Sequence, residues 1–213
     1  VLFRAAAAPV RAFLSAVCRP EEPFAASWID SIYFDTTGLS AYHDKLSSQL
    51  HKTKVRLRWY DHGGPVFAEI KRRRGERREK FRIQLDLRGE ELGRQGLASA
   101  LLAEVPIRLA RHGQPVPAEL RPVVRVRFRR LRWREPSTGA RVALDTEIGA
   151  VALATRLGGR VAGLLGLGVV ELKGAATSLP VRLRPLSGFG CRRSSFSKYA
   201  ACMTAPIAGW IAP

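Results

Sequence analysis

The chain has 213 residues, 46% hydrophobic and 25% charged, so it is long enough to bury a core and too apolar for a disordered protein. Its 36 Lys and Arg against 18 Asp and Glu give a formal charge of +18, which favours polyanionic partners: nucleic acid, an anionic membrane or phosphate chains. The three cysteines, Cys18, Cys191 and Cys202, are too few and too unevenly spaced for a zinc site or a disulfide framework.

The same cysteine usage favours a reducing, cytoplasmic setting. No uncharged apolar run reaches the roughly 18 residues of a membrane-spanning helix, and no signal peptide is recognised. No internal repeat is found either. We therefore expect a cytoplasmic protein without a transmembrane segment, folded as a single domain over residues 1–213.

The first third of the chain predicts a helix and a strand. Apolar residues recur at helical spacing over 9–17, and Pro20 follows the pattern. Residues 28–35 predict a strand with Ile32 and Phe34 on one face. Residues 39–50 predict a polar, helix-like connection.

Three strands follow in quick succession. Apolar and polar residues alternate over 54–60, 66–72 and 79–87. The sequences between them, His62-Gly63-Gly64-Pro65 and Arg74-Gly75-Glu76, are typical of hairpin turns. Only turns separate these strands, which favours an antiparallel sheet over a parallel βαβ fold.

The second half of the chain mixes helical and strand patterns. Residues 90–121 predict helix or loop, with Leu97, Leu101 and Leu102 on one face. Further strands are predicted over 123–133, 141–148 and 169–173, with a turn at 136–139, while 149–168 gives no clear pattern. Residues 194–203 predict a C-terminal helix capped by Ser194 or Ser195. The fold class is thus α+β, with about seven antiparallel strands.

Basic residues occupy alternate positions on several of these strands. In an open sheet, they would form a solvated face; in a sheet curled into a barrel, they would line the lumen. A lumen of cations is stable only with interleaved carboxylates or a bound polyanion. Glu69, Asp145 and Glu171 are such carboxylates.

Other chemistry is mostly excluded. The chain has no G-x-x-x-x-G-K-[ST] loop and no kinase signature. Ser195 and Ser197 have no evident His/Asp partners for nucleophilic catalysis. The Arg-rich run over 72–78 is more typical of a solvated hairpin tip than of a binding site, and the alternative is that it attracts polyanions. The histidines lack metal-ligand spacing and are expected in exposed loops or helices: His43, His51, His62 and His112.

Nine stretches occur in order along nearly the whole chain: SIYFDT (31–36), AYHDKL (41–46), KVRLRWY (54–60), EIKRRRG (69–75), EKFR (79–82), RFRR (127–130), RVALDT (141–146), VELK (170–173) and SKY (197–199). Together they resemble the catalytic domain of the VTC (vacuolar transporter chaperone) polyphosphate polymerase family. The family belongs to the triphosphate tunnel metalloenzymes.

The resemblance implies an antiparallel eight-stranded β-barrel tunnel with flanking helices, which binds nucleoside triphosphate or polyphosphate with Mn²⁺ or Mg²⁺. By motif, the residues expected to act on the phosphates are Arg56, Arg58, Lys71, Lys80, Arg130, Arg141 and Lys198. Residues expected to help bind the substrate are Tyr60, Arg82, Lys173 and Ser197. Glu171 matches the family's metal-binding glutamate.

Two positions depart from the family pattern. Phe128 stands where the family has a tyrosine, so one hydroxyl contact to phosphate is missing. The family's first strand, with its Glu and Lys pair, is expected just before the point where this sequence begins. The resemblance therefore implies a truncated first strand.

The implied function is transfer of the γ-phosphoryl group of ATP to a growing inorganic polyphosphate chain. A metal-dependent triphosphate or polyphosphate hydrolase and a non-catalytic polyphosphate-binding module are the alternatives. The expected partners are ATP and polyphosphate, together with a membrane protein as in some family members. Aromatics are 8% of the chain and do not alternate with basic residues, so no specific nucleic-acid binding is expected.

Overall fold

A computed structural model describes residues 7–61, 63–94, 99–117, 119–153, 161–165, 168–174 and 178–204. Its helices are α1 (Ala7–Val17), α2 (Ser40–Leu46), α3 (Gly89–Arg94), α4 (Ser99–Arg111), a 3₁₀ helix (Val181–Phe189) and α5 (Lys198–Thr204). Its strands are β1 (Arg19–Pro20), β2 (Ala26–Asp35), β3 (His51–Tyr60), β4 (Pro65–Arg74), β5 (Arg77–Arg88), β6 (Arg121–Arg134), β7 (Arg141–Ala152), β8 (Val161–Leu165) and β9 (Val169–Lys173).

The strands pair in the order β5-β4-β3-β2-β6-β7-β8, with β1 on β6 and β9 on β7. The predicted α+β class with an antiparallel sheet is confirmed. The residues group into two compact units. The larger unit contains Ile29–Val126, Ala150–Gly163 and Ser197–Pro213, and the smaller contains Val1–Trp28, Arg127–Gly149 and Leu164–Phe196.

In the larger unit, strands β3, β4 and β5 form a meander with one apolar face. The alternation of KVRLRWY places Val55, Leu57 and Trp59 on this face, where they pack with residues of α4 such as Leu109. The β4–β5 turn uses Gly75 at φ +60°, a conformation that glycine adopts without steric cost. Burying this apolar face leaves the alternate, polar residues of the same strands on the opposite face.

The register places the polar residues of the larger unit in cross-strand rows. One row runs Tyr33, Arg56, Glu69 and Arg82 from β2 to β5. Residues directly opposite each other on antiparallel strands have Cβ atoms about 5 Å apart, so their side chains interact. The register therefore brings cations of β3 and β5 to either side of one carboxylate of β4.

In the smaller unit, α1 and the 3₁₀ helix cover the apolar face of the strands. Leu14 and Leu186 pack against Trp133, Val142 and Leu144. Polar residues occupy the alternate positions of β6, β7 and β9, as in the larger unit. The register of β7 and β9 sets Ala143 opposite Glu171.

Several predicted elements differ from the observed ones. Strand β8 lies within 149–168, a stretch without a clear helix or strand pattern. Helix α5 begins at Lys198, and the Ser197 hydroxyl accepts the backbone N–H of Ala200 at 3.4 Å. The predicted cap at Ser194 or Ser195 is therefore wrong. The predictions for His62 and Leu97 fall on residues outside the described ones.

The predicted turns and exposures mostly agree with the structure. The turn at 136–139 is confirmed, and the three histidines among the described residues, His43, His51 and His112, are exposed. All three cysteines are buried and unpaired. Within the described residues, no helix has the length and apolarity to cross a bilayer.

Candidate functional site

Glu69 of β4 is the centre of a cation cluster on the polar face of the larger unit. Its Oε2 accepts hydrogen bonds from Arg56 Nε (2.8 Å) and Nη2 (2.6 Å). Its Oε1 lies 3.1 Å from Lys80 Nζ and 3.1 Å from Arg82 Nε. Burial acts to raise the pKa of Glu69, but Arg56, Arg58 and Lys80 lower it to about 2, so the carboxylate stays ionised.

Arg58 completes this group, which we call the Glu69 cluster: Arg56, Arg58, Glu69, Lys80 and Arg82. The Arg58 side chain is buried, and its Nε donates to Ser31 Oγ at 3.0 Å. Burial, and then the neighbouring Arg56, lower the pKa of Arg58 to about 10. The cluster therefore holds four cations against one carboxylate.

Two tyrosines border the Glu69 cluster. Tyr33 OH accepts a hydrogen bond from Arg56 Nη1 at 3.3 Å, and Tyr60 OH accepts one from Arg82 Nη2 at 3.1 Å. Burial opposes ionisation of both phenols, but the cations prevail: Arg56 and Arg58 lower the pKa of Tyr33, and Arg58 and Arg82 lower that of Tyr60. Arg82 also stacks on Phe67, its guanidinium carbon 3.7 Å from the ring centroid.

Helix α5 lies against the polar face at β2 and β3. Ser197 Oγ accepts a hydrogen bond from Lys54 Nζ at 2.9 Å. The Tyr199 ring stacks on Tyr33 with centroids 5.3 Å apart, and its hydroxyl donates to Asp35 Oδ2 at 2.6 Å. These contacts place Lys198, the next residue after Ser197, near the Glu69 cluster, where its charge helps to lower the pKa of Tyr33.

Lys71 lies in a cross-strand row with Lys54 and Lys80. It pairs with Lys54 on β3 and with Lys80 on β5. The Lys71 side chain is exposed, unlike Arg56 and Arg58, which are largely buried. Lys71 therefore belongs to the polar face but lies towards solvent.

The smaller unit holds a second charged group, the Arg130 cluster: Arg130, Asp145, Glu171 and Lys173. Arg130 binds Asp145 in a two-bond geometry, Nε to Oδ1 at 2.6 Å and Nη2 to Oδ2 at 2.7 Å, and also donates to Glu171 Oε2 at 2.9 Å. Lys173 Nζ lies 3.2 Å from Glu171 Oε1. Burial opposes the charge, but the bonds to Asp145 and Glu171 raise the pKa of Arg130.

Arg141 lies at the beginning of β7, away from the carboxylates of the Arg130 cluster in the register. It is opposite Lys173, while Glu171 is opposite Ala143. Its Nε lies 3.0 Å from Glu21 Oε1, which also accepts a hydrogen bond from Arg134 Nη2 at 3.0 Å. The Arg141 side chain is mostly exposed.

Glu171 fits a divalent-metal role better than the other carboxylates of these clusters. Its side chain is 32% exposed, whereas Asp145 and Glu69 are buried. Among the described residues, no three His, Cys, Asp or Glu side chains group as a metal site. Mg²⁺ and Mn²⁺ are hard ions, and Mg²⁺ is commonly held by one or two carboxylates together with substrate phosphates, which one accessible carboxylate satisfies.

The predicted site residues fall into two sets. The larger unit holds Arg56, Arg58, Tyr60, Lys71, Lys80, Arg82, Ser197 and Lys198, and the smaller holds Arg130, Arg141, Glu171 and Lys173. Their roles towards a substrate stay predictions. The expected interleaving of Glu69, Asp145 and Glu171 with cations is confirmed.

Sequence reasoning missed other polar residues of these groups. Ser31, Tyr33 and Asp35 alternate on one face of β2, and that alternation is a usable signal because the opposite face is apolar. Glu21 precedes β2 in an irregular segment. Its contacts with Arg134 and Arg141 depend on the tertiary fold, so the sequence holds no signal for them.

The sequence matches the VTC domain family over residues 14–206. The chain therefore belongs to the VTC domain family. A VTC domain implies phosphate compounds as substrates. No protein with a curated description matches the chain in sequence.

Solved structures show the same fold at low identity. A provisionally assigned adenylate cyclase from Bacillus halodurans shares 13% identity at a TM-score of 0.50, covering 83% of this chain and 79% of that one. A provisionally assigned adenylyl cyclase from Hippeastrum, described as having a dominant triphosphatase activity, shares 17% identity at a TM-score of 0.52. That match covers 96% of this chain and 94% of the other. The antiparallel α+β fold expected from the sequence is thus confirmed.

Proposed function

We propose that the protein is a polyphosphate polymerase, which transfers the γ-phosphoryl group of ATP to the end of a growing inorganic polyphosphate chain and releases ADP. The observation that carries this proposal is the charge of the Glu69 cluster, in which four cations share one carboxylate. Buried or half-buried cations in such excess need an anion. Phosphate oxygens accept charge-assisted, two-bond contacts from guanidinium groups.

The proposed phosphoryl transfer depends little on acid–base catalysis by the protein. The nucleophile is an oxygen of the terminal phosphate, already ionised at neutral pH, so no strong general base is required. The protein's task is to hold donor and acceptor in line and to neutralise charge on the transferring group. Arg56 and Arg58, fixed by Glu69 and Ser31, are oriented in advance for that task.

A divalent ion completes the proposal. Glu171 of the smaller unit would hold Mg²⁺ or Mn²⁺, which when bound neutralises charge on the phosphate oxygens. Arg130 and Lys173 hold the Glu171 carboxylate in place through contacts of 2.9 and 3.2 Å. Neutralising either cation would therefore disturb the orientation of Glu171.

The state of the buried carboxylates favours transfer over hydrolysis. A triphosphate hydrolase needs a water oriented by a carboxylate, and Glu69 and Asp145 are the sequence candidates. Both oxygens of Asp145 accept bonds from Arg130, and both oxygens of Glu69 contact cations. The pKa of about 2 further makes Glu69 a weak base. The triphosphatase activity described for the Hippeastrum protein keeps hydrolysis as the second candidate.

Incubation of the complete protein with ATP and Mn²⁺ tests the proposal. We expect ADP and acid-precipitable polyphosphate in matching amounts, and a loss of at least about 100-fold in chain synthesis for Arg58→Ala and for Glu171→Gln. The exposed Arg111→Ala, at the end of α4, is the control and should keep the wild-type rate. Free phosphate without chain product would select the hydrolase, and binding of polyphosphate without turnover of ATP would select the binding module.

A further inference from the structure

Lys54 of β3 is a cation of the same polar face, and its contacts differ from those of Arg56, Lys80 and Arg82. It precedes Arg56 by two residues on β3, so both side chains leave the strand on the same face. Arg56, Lys80 and Arg82 each lie within 3.1 Å of Glu69. Among the described residues, no carboxylate oxygen lies within 4.0 Å of Lys54 Nζ, whose hydrogen-bond partner is the neutral hydroxyl of Ser197 at 2.9 Å.

The register adds further positive charge beside Lys54. Lys54 is paired with Lys71, and Lys71 with Lys80, so three lysines form one row across β3, β4 and β5. Like charges directly opposite on neighbouring strands destabilise a sheet. Glu69 contacts Lys80 of this row, whereas the Lys54 ammonium contacts the Ser197 hydroxyl.

Burial and the neighbouring cations both disfavour the charged form of Lys54. Burial lowers the pKa of Lys54, and the neighbouring Lys45, Lys52 and Arg56 lower it further, against the opposing effect of Tyr33. A half-buried ammonium in such surroundings is stabilised by an anion far more than by a hydroxyl.

We propose that Lys54 is a further phosphate-binding residue, whose ammonium group contacts an anionic oxygen of a condensed phosphate where β3 meets helix α5. The inference rests on the proposed function of this polar face. Ser197 Oγ also accepts the Ala200 backbone N–H that starts α5. Lys54 therefore joins the strand that carries Arg56 and Arg58 to the helix that carries Lys198.

Calorimetric titration of the full chain with tripolyphosphate tests the role of Lys54. We expect Lys54→Gln to weaken binding by about tenfold or more, the loss typical of a charge-assisted hydrogen bond. The glutamine amide can still donate to the Ser197 hydroxyl, so this variant removes the charge but keeps the hydrogen bond to Ser197. Arg111→Gln at the end of α4, a helix that packs on the apolar face of the meander, removes an equal charge outside the predicted site and should change affinity by about twofold or less.

The outcomes separate this inference from the proposed function. If the wild-type protein does not bind tripolyphosphate, the proposed function fails. If the wild type binds and Lys54→Gln binds equally well, the assignment of Lys54 alone is overturned. NMR of ¹³C-methylated lysines in the wild-type protein gives a check that needs no variant: tripolyphosphate should shift the Lys54 signal, and an unchanged Lys54 signal at saturation would also overturn it.

Discussion

The Glu69 and Arg130 clusters use the same residue types in different proportions. In the Glu69 cluster, four cations surround one buried carboxylate. In the Arg130 cluster, one buried guanidinium lies between two carboxylates, Asp145 and Glu171, and a single lysine accompanies them. The first cluster has a surplus of positive charge, and the second is balanced.

We propose that the two clusters have different tasks. A surplus of cations is stable with a polyanion, so the Glu69 cluster suits phosphate groups. A balanced cluster has no such need, and its partly exposed Glu171 can give an oxygen to a cation instead. Counting arginines along the strands would miss this distinction, because both clusters contain them.

The largest expected effect follows from removing the carboxylate of the Glu69 cluster. Glu69→Gln leaves Arg56, Lys80 and Arg82 without their shared counter-charge, and we expect about 3–5 kcal/mol less unfolding free energy. Urea denaturation measures the change. The exposed Glu79→Gln, which removes the Arg77 pair on β5, is the control and should cost less than about 1 kcal/mol. Equal losses in the two variants would contradict the central place of Glu69.

Acid should weaken the same cluster. The pKa of Glu69 is lowered from 4.5 to about 2, so its contribution to stability is present above pH 4.5 and is lost as the pH falls towards 2. The linked free energy is roughly 3 kcal/mol. Urea midpoints measured between pH 5 and 2 report the loss. In Glu69→Gln this acid-dependent component should be absent, and an unchanged acid slope in that variant would contradict the assignment.

A smaller loss is expected for Asp145→Asn in the Arg130 cluster. Arg130 keeps its bond to Glu171 at 2.9 Å after this change, so its charge is still paired. We expect about 1.5–3 kcal/mol less unfolding free energy, typical of hydrogen bonds to charged groups. The comparison with Glu69→Gln sharpens the contrast between the clusters. A loss in Asp145→Asn that exceeds the loss in Glu69→Gln would reverse it.

The smallest effect concerns the attachment of α5. Tyr199→Phe removes the 2.6 Å bond to Asp35, whose carboxylate still accepts the backbone N–H groups of Thr36, Ala41 and Tyr42. We expect a cost of about 1 kcal/mol, measured by thermal unfolding. Tyr42→Phe is the matched control, because the Tyr42 hydroxyl has no hydrogen bond with the described residues. If Tyr42→Phe costs as much stability as Tyr199→Phe, the bond to Asp35 does not account for the loss.

Sequence pattern predicted the elements whose two faces differ in polarity. Strands β3, β4 and β5 alternate cleanly, and their residues share faces as expected. Strand β8 lacks alternation, since VAGLL is apolar or glycine at every position. The cap of α5 was misplaced because Ser194, Ser195 and Ser197 are equally good caps by residue type. Burial of Tyr199 and its bond to Asp35 decide the helix position, and both depend on tertiary packing.

For the candidate site, the sequence predicts which residues share a face but not how deeply each is buried. Arg56, Arg58 and Glu69 follow from strand alternation, because register makes neighbours of residues that share a face. The degree of burial does not follow: Arg58 is buried, whereas Lys71 on the same face is exposed. The contact of Lys54 with a hydroxyl rather than a carboxylate is likewise a property of the assembled sheet and of α5, which no spacing in the sequence encodes.

A crystal structure of the protein with tripolyphosphate tests the central claim most directly. The account predicts phosphate oxygens within hydrogen-bond distance, about 3 Å, of the Arg56 and Arg58 guanidinium groups. Tripolyphosphate bound instead only at the exposed hairpin arginines Arg77 and Arg78, with the Glu69 cluster unchanged, would contradict it.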